Sequence, residues 1–422
     1  MKNRPVAVAV FAAVVSFAAY TCIFSFRKAF NVASFSGHTL FGLDYKVVLV
    51  ITQVAGYMLS KFYGIKFISE LKRYGRGKLI LLLVGISWLA WLGFALVPAP
   101  YNFWCLFFNG FPLGMIWGIV FSFVEGRRTT DLISAALAVS FIFASGFAKS
   151  VAQWLMNSWH VTEYWMPFWV GVVFMLPLLL FVFLLEKIPH PDAEDVLLRV
   201  ERTAMTAVER KNMLSNFLPG IVMLVIIYIF VTILREVRDS FMADMWRESG
   251  EVFAASVFAK TETIISIIIL VMIGSMMLVK NNFKAFMVTQ VFMLTGFIIV
   301  GICTILYLQK SMNSFYWMTS VGLGLYMVYI PYNSILFERF IATFRFAGNV
   351  GFLIYIADSF GYLGSVLVLL SKSVFNVQMQ WLQFYINLSL IMSVVGITGC
   401  SICLYYFYQK KRRLNELSMK NI

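Results

Sequence analysis

The sequence predicts an all-α membrane protein, with twelve transmembrane helices in two pseudo-symmetric six-helix halves. Three observations lead there. Of 422 residues, 61% are hydrophobic and only 13% are charged, about half the ~25% usual for soluble domains. The apolar residues fall in runs of about 20, enough to cross a hydrocarbon core of roughly 30 Å. Lys and Arg alternate between rich and poor connecting loops, as they do in multi-pass proteins. The same composition excludes a soluble globule, which cannot hide so much apolar surface. It also excludes a disordered chain. The five Cys (Cys22, Cys105, Cys303, Cys400 and Cys403) lie inside apolar runs, so a secreted disulfide scaffold is excluded as well.

The spans are expected at residues 6–30, 44–65, 78–98, 101–124, 131–156 and 164–185 in the first half. In the second half they are expected at 214–238, 252–279, 284–307, 313–337, 346–371 and 380–408. Helix is expected because membrane strands are about ten residues long and alternate in polarity. Pro98, Pro100 and Pro112 punctuate the third and fourth spans, and Pro331 marks a kink in the tenth. Lys2 and Arg4 precede an apolar run too long for a signal peptide, so the first helix is expected to be uncleaved. Residues 1–186 form the first bundle, 187–213 a polar cytoplasmic linker, 214–409 the second bundle and 410–422 a basic tail.

With the N-terminus inside, cytoplasmic segments hold 23 Lys and Arg, and external loops hold three: Arg247, Lys310 and Lys372. This places both termini in the cytoplasm of a cell-membrane protein. The net charge of +14 is then a topology signal that also attracts anionic lipid. Nucleic acid is excluded as a partner, because the basic residues are dispersed over short loops. A monomer is expected.

The two halves echo one another. Tyr20 lies seven residues before Arg27 at the end of the first span, and Tyr228 lies seven before Arg235 at the end of the seventh. That spacing sets ring and guanidinium on one helix face. Charges inside a membrane are costly and generally face a cavity or a partner. Eight basic residues lie within or at the edge of the helices: Arg27, Lys28, Lys46, Lys61, Lys149, Arg235, Arg238 and Lys260. The acids are Glu236, Asp239, Glu262 and Asp358, so the surplus is positive and suits an anionic ligand. Arg favours phosphate or carboxylate because its planar fork binds two oxygens.

Other readings stand beside this one. Lys28, Lys46 and Lys61 lie near span ends, where long stems snorkel to the headgroups. Arg235 and Asp239 can pair at i,i+4, whereas Glu236 and Asp239 repel and need separate cations. Lys149 and Asp358 fall at equivalent points of the two halves and either pair with each other or find partners separately. Gly110, Gly114 and Gly118 form one smooth face in the fourth span, a packing device. Glu125 and Glu338 lie near Arg127 and Arg339 and read as gate or interface pairs. The three His are scattered over loops, so no metal site is expected. No Gly-rich phosphate loop or nucleophile elbow appears, so neither a cofactor nor an enzyme activity is expected.

Five segments resemble the major facilitator superfamily, and more narrowly its organophosphate:phosphate antiporters. They are Arg27-Lys28-Ala29-Phe30, Gly56-Tyr57-Met58-Leu59-Ser60-Lys61-Phe62, Gly110 to Trp117, Phe230 to Arg235, and Phe360-Gly361-Tyr362-Leu363-Gly364. The loop after the second span departs from the superfamily pattern, with Glu70 as its acid and a longer spacing. The resemblance implies a secondary transporter working by alternating access. It implies that Arg27 and Arg235, one from each half, hold a phosphate ester. Tyr20 and Tyr228 stand close by, Lys46, Lys149 and Lys260 add positive field, and Glu262 and Asp358 are the acids expected to couple or gate. The alternatives are a carboxylated or neutral cargo, or a non-transporting membrane sensor of the same fold.

Overall fold

In the computed structural model, residues 5–69, 75–124, 130–189, 207–344, 350–374 and 379–420 are described. The first half is α1 (Pro5–Lys28), α2 (Tyr45–Ser69), α3 (Arg76–Leu96), α4 (Trp104–Phe121), α5 (Thr130–Ser158) and α6 (Met166–Glu186). The second is α7 (Ala207–Glu248), α8 (Val257–Met277), α9 (Asn282–Leu308), α10 (Ser314–Ser334), α11 (Leu336–Phe344), α12 (Val350–Val374) and α13 (Trp381–Lys420). The only strands among the described residues are a two-residue antiparallel pair, Thr39–Leu40 with Leu43–Asp44.

Among the described residues, nine helices are long and apolar enough to cross a membrane, or ten if α10 and α11 count as one broken span. α2 and α12, each of 25 residues, stand where the second and eleventh spans are expected. The chain is therefore an all-α, multi-pass membrane protein. The kink expected at Pro331 takes the form of a 49° bend between α10 and α11, with the break at Ile335. The loop acid Glu70, the pair Glu125 and Arg127, and most of the charged linker lie outside the described residues.

The fold holds together at membrane depth by close backbone approach rather than by hydrophobic exclusion. A Cβ at Gly56 would strike the Phe107 carbonyl, and one at Gly110 or Gly114 would strike the carbonyls of Gln53 or Tyr57. Those glycines let α2 and α4 touch, which carries Tyr57 and Gln53 to the end of α1.

Two compact units emerge from the packing, and they cut across the sequence halves. The first comprises Met1–Arg199, Val237–Leu270 and Val366–Leu382; the second comprises Val200–Glu236, Val271–Ser365 and Gln383–Ile422. The first bundle thus packs as one body with the later part of α7, the early part of α8 and the end of α12.

Candidate functional site

In the first unit, α1 ends at Lys28 and gives way to a 3-10 turn, Ala29–Val32. The last carbonyls of a helix need partners from elsewhere, and here three neighbouring helices supply them. The Phe26 carbonyl accepts from Trp91 Nε1 at 2.6 Å and from Asn109 Nδ2 at 3.1 Å. The Arg27 carbonyl accepts from Gln53 Nε2 at 2.9 Å. Gln53 Nε2 also donates to Asn109 Oδ1 at 2.7 Å, and Asn109 Nδ2 donates to Ser87 Oγ at 2.6 Å. All four side chains are buried. They fix the backbone on which Arg27 stands. Its guanidinium lies 3.7 Å from the centre of the Tyr57 ring, a cation–π contact strengthened by burial. Lys61 Nζ lies 5.2 Å from the same ring. Tyr20, one face-turn pair below Arg27, packs edge-on to Phe141 at 4.9 Å and near Phe24 at 6.1 Å.

Next to Arg27 begins a buried charge network within the same unit. Asp239 lies 2.9 Å from Lys28 Nζ and 2.7 Å from Lys149 Nζ, and it also accepts from Ser145 Oγ. Arg238 pairs with Glu262 at 2.5 Å. A Cβ at Gly146 would strike Glu262 and the Phe258 carbonyl, so that glycine brings α5 against α8. Lys46 Nζ reaches Asp244 at 2.5 Å and the Asn31 carbonyl at 2.8 Å. Arg247 pairs with Asp244 at 2.7 Å and donates to the Val32 carbonyl. Both members of the Lys28, Lys149 and Glu262 pairs are almost wholly buried. Removing one partner from such a pair costs far more than forming it gains.

In the second unit, Arg235 Nη2 lies 3.1 Å from Glu236 Oε2. Its guanidinium stands 4.7 Å from the centre of the Tyr329 ring and 5.9 Å from that of Tyr362. Tyr228 donates its hydroxyl to Asp358 and accepts from Asn333 Nδ2 at 3.3 Å. The Tyr228 ring stacks on Tyr329 at 5.6 Å and meets Tyr332 edge-on at 4.9 Å. A Cβ at Gly361 would press on Thr232, which explains why α12 approaches α7 at that glycine.

Several expectations change. Lys28 and Lys46 do not snorkel: both are buried in ion pairs with acids of α7, because a carboxylate at the same depth offers more than a distant headgroup. Asp239 does not pair with Arg235. It takes two lysines, and Arg235 takes Glu236. Lys149 and Asp358 find separate partners, Asp239 and Tyr228. Lys260 is exposed in the first turn of α8, so it adds no buried field. Gln53, Asn109 and Tyr57 were not among the expected site residues. Gln53 and Asn109 carry a visible signal, a lone amide inside an apolar helix.

Close glycine contacts, a first helix that ends at Arg27 and Lys28, and a charged hub on the seventh helix are set in an all-helical, multi-pass fold. Solved structures bear out that fold. A bacterial homologue of the human lysosomal transporter Spinster, determined inward-facing and unoccupied, is similar at 14% identity and a TM-score of 0.60, covering 96% of this chain and 97% of that one. A D-xylose–proton symporter is similar at 14% identity and a TM-score of 0.60, covering 94% and 95%. The chain belongs to the family DUF5690, described as a family of unknown function, whose model matches residues 29–410. No curated protein matches the sequence.

Proposed function

We propose that this protein is a secondary transporter that moves a small organic anion, with a phosphate ester as the cargo class, by alternating access. The observation that carries the anion is Arg27: a guanidinium seated 3.7 Å over Tyr57, on a backbone fixed by Gln53, Asn109 and Trp91. A fork held on a rigid platform suits bidentate recognition of phosphate or carboxylate. Arg235 is the proposed cargo contact of the second unit, with Tyr228 beside it. Cargo there meets an arginine already joined to Glu236.

The Asp239 hub is the proposed lock of the transport cycle. It lies at the end of the helices whose loops are poor in Lys and Arg, which the positive-inside rule assigns to the exterior. Opening that end requires Lys28 and Lys149 to leave Asp239. Glu262 and Asp358 are the proposed coupling carboxylates, and each now has a partner to release, Arg238 or Tyr228. The protein is proposed to act as a monomer in the cell membrane with both termini inside.

A second reading is a neutral polyhydroxy cargo. It is favoured by the Arg235–Glu236 pair and by the hydroxyl and amide groups of Tyr228 and Asn333. A thermal-shift screen of the purified protein separates the two, because a ligand of the folded state raises its apparent stability. Phosphate esters should stabilise and sugars should not. Stabilisation by sugars alone would overturn the anion reading.

A further inference from the structure

α13 is 40 residues long, about 60 Å at 1.5 Å per residue, roughly twice the hydrocarbon thickness. Its exposed face reads Ile391, Val394, Thr398, Ile402, Tyr405, Tyr408 and then Arg412. These positions follow steps of three and four, one continuous stripe of the helix. Apart from Thr398, whose hydroxyl is turned to the Val394 carbonyl, the stripe is aliphatic first, tyrosine next and arginine last. From Ile391 to Tyr408 the rise is about 25 Å, so tyrosines at the interface set Arg412 and Arg413 at headgroup depth.

The basic run is held in place. Lys410 Nζ lies 5.2 Å from the centre of the Phe217 ring on α7. Lys411 Nζ donates to the Thr343 carbonyl at the end of α11 at 3.4 Å. Behind them stand Phe217, Phe340, Phe344 and Phe407, ring against ring. These anchors leave Arg412 and Arg413 exposed. Arg412 lies 3.0 Å from Glu416 in a pair that is more than half exposed on both sides, and such pairs are worth little. The corresponding last helix of the first half differs. The exposed Leu176, Leu180 and Phe183 of α6 are followed by Lys187 alone among the described residues, 5.0 Å over the Phe183 ring.

We propose that the foot of α13, with Arg412 and Arg413 preceded by Lys410 and Lys411, is a binding site for the headgroup of an anionic phospholipid. The lipid-facing stripe leads the acyl chains directly to that basic end. A protein or nucleic-acid partner would not need the apolar half of it.

The test uses the full-length protein in nanodiscs of phosphatidylcholine and phosphatidylglycerol, with the lipid retained after detergent extraction counted by native mass spectrometry. Wild type should retain phosphatidylglycerol preferentially. R412Q/R413Q should lower that preference about 25-fold, at about fivefold for each charge, and K187Q should leave it unchanged. Thermal unfolding in pure phosphatidylcholine reports whether the variants fold. Should the double variant unfold, R413Q alone should still lower the preference about fivefold. Equal retention of the two lipids by wild type would overturn the proposal. So would an unchanged preference in folded R412Q/R413Q, an equal loss in K187Q, or displacement of the lipid by inorganic phosphate.

Discussion

Arg27 and Arg235 occupy matching places in the sequence, yet their surroundings differ. Beside Arg27, Asp239 takes Lys28 and Lys149, and the Arg27 guanidinium rests on the Tyr57 ring. Around Arg235 the acid is one residue away and closes on the guanidinium at 3.1 Å. One guanidinium lies over a tyrosine ring on a clamped backbone, and the other lies between a carboxylate and two tyrosine rings. The difference teaches that pseudo-equivalent positions need not share a role. On the proposed function, an anion that reaches the second arginine must displace a carboxylate.

The largest effect expected from breaking this contrast is at its hub. Asp239→Asn would leave Lys28 and Lys149 buried without their carboxylate, and loss of one partner from a buried ion pair costs about 3–5 kcal/mol. Thermal unfolding in detergent should show it as a marked fall in the transition temperature; an unchanged transition would mean that the lysines have other counterions.

The contrast can be sharpened at Arg235 by a double-mutant cycle. Arg235→Gln should destabilise, since it removes the cation 3.1 Å from the fully buried Glu236. Adding Glu236→Gln should recover about 1–3 kcal/mol of that loss by removing the buried charge. A cycle with no coupling energy would show that the two residues are not a pair in solution.

A smaller effect is expected from the backbone clamp beside Arg27. Asn109→Ala removes donors to the Phe26 carbonyl and to Ser87 and should cost about 1–3 kcal/mol in denaturant unfolding. It should also weaken anion binding. Intact anion affinity in a destabilised Asn109→Ala would mean that the clamp serves packing alone.

Much of this was legible in the sequence, and what was not has a physical cause. Apolar runs set the positions of α1 to α10, α12 and α13, because a bilayer demands uninterrupted length. The glycine stripe at Gly110 and Gly114 was read as packing, and the carbonyls of Gln53 and Tyr57 lie against it. The partners of the buried charges were not legible. Lys28 and Asp239 are separated by half the chain, and only tertiary packing brings them to 2.9 Å. A lysine near a span end satisfies both a snorkelling and an ion-pair reading until its neighbour is known. Lys260 shows the opposite failure: its span begins later than the apolar run, at Val257, which leaves the lysine in the exposed first turn. The clamp on Arg27 was hidden because its acceptors are backbone carbonyls, which every residue has.

The most direct test compares Arg27→Lys with Arg235→Lys in phosphate-ester binding and proteoliposome uptake. Lysine keeps the charge but loses the fork and the stacked face, a change worth about 1.5–3 kcal/mol for a charge-assisted contact. The expected result is a loss of affinity of about tenfold or more in Arg27→Lys and a clearly smaller loss in Arg235→Lys. Full affinity and uptake in a folded Arg27→Lys protein would contradict the account.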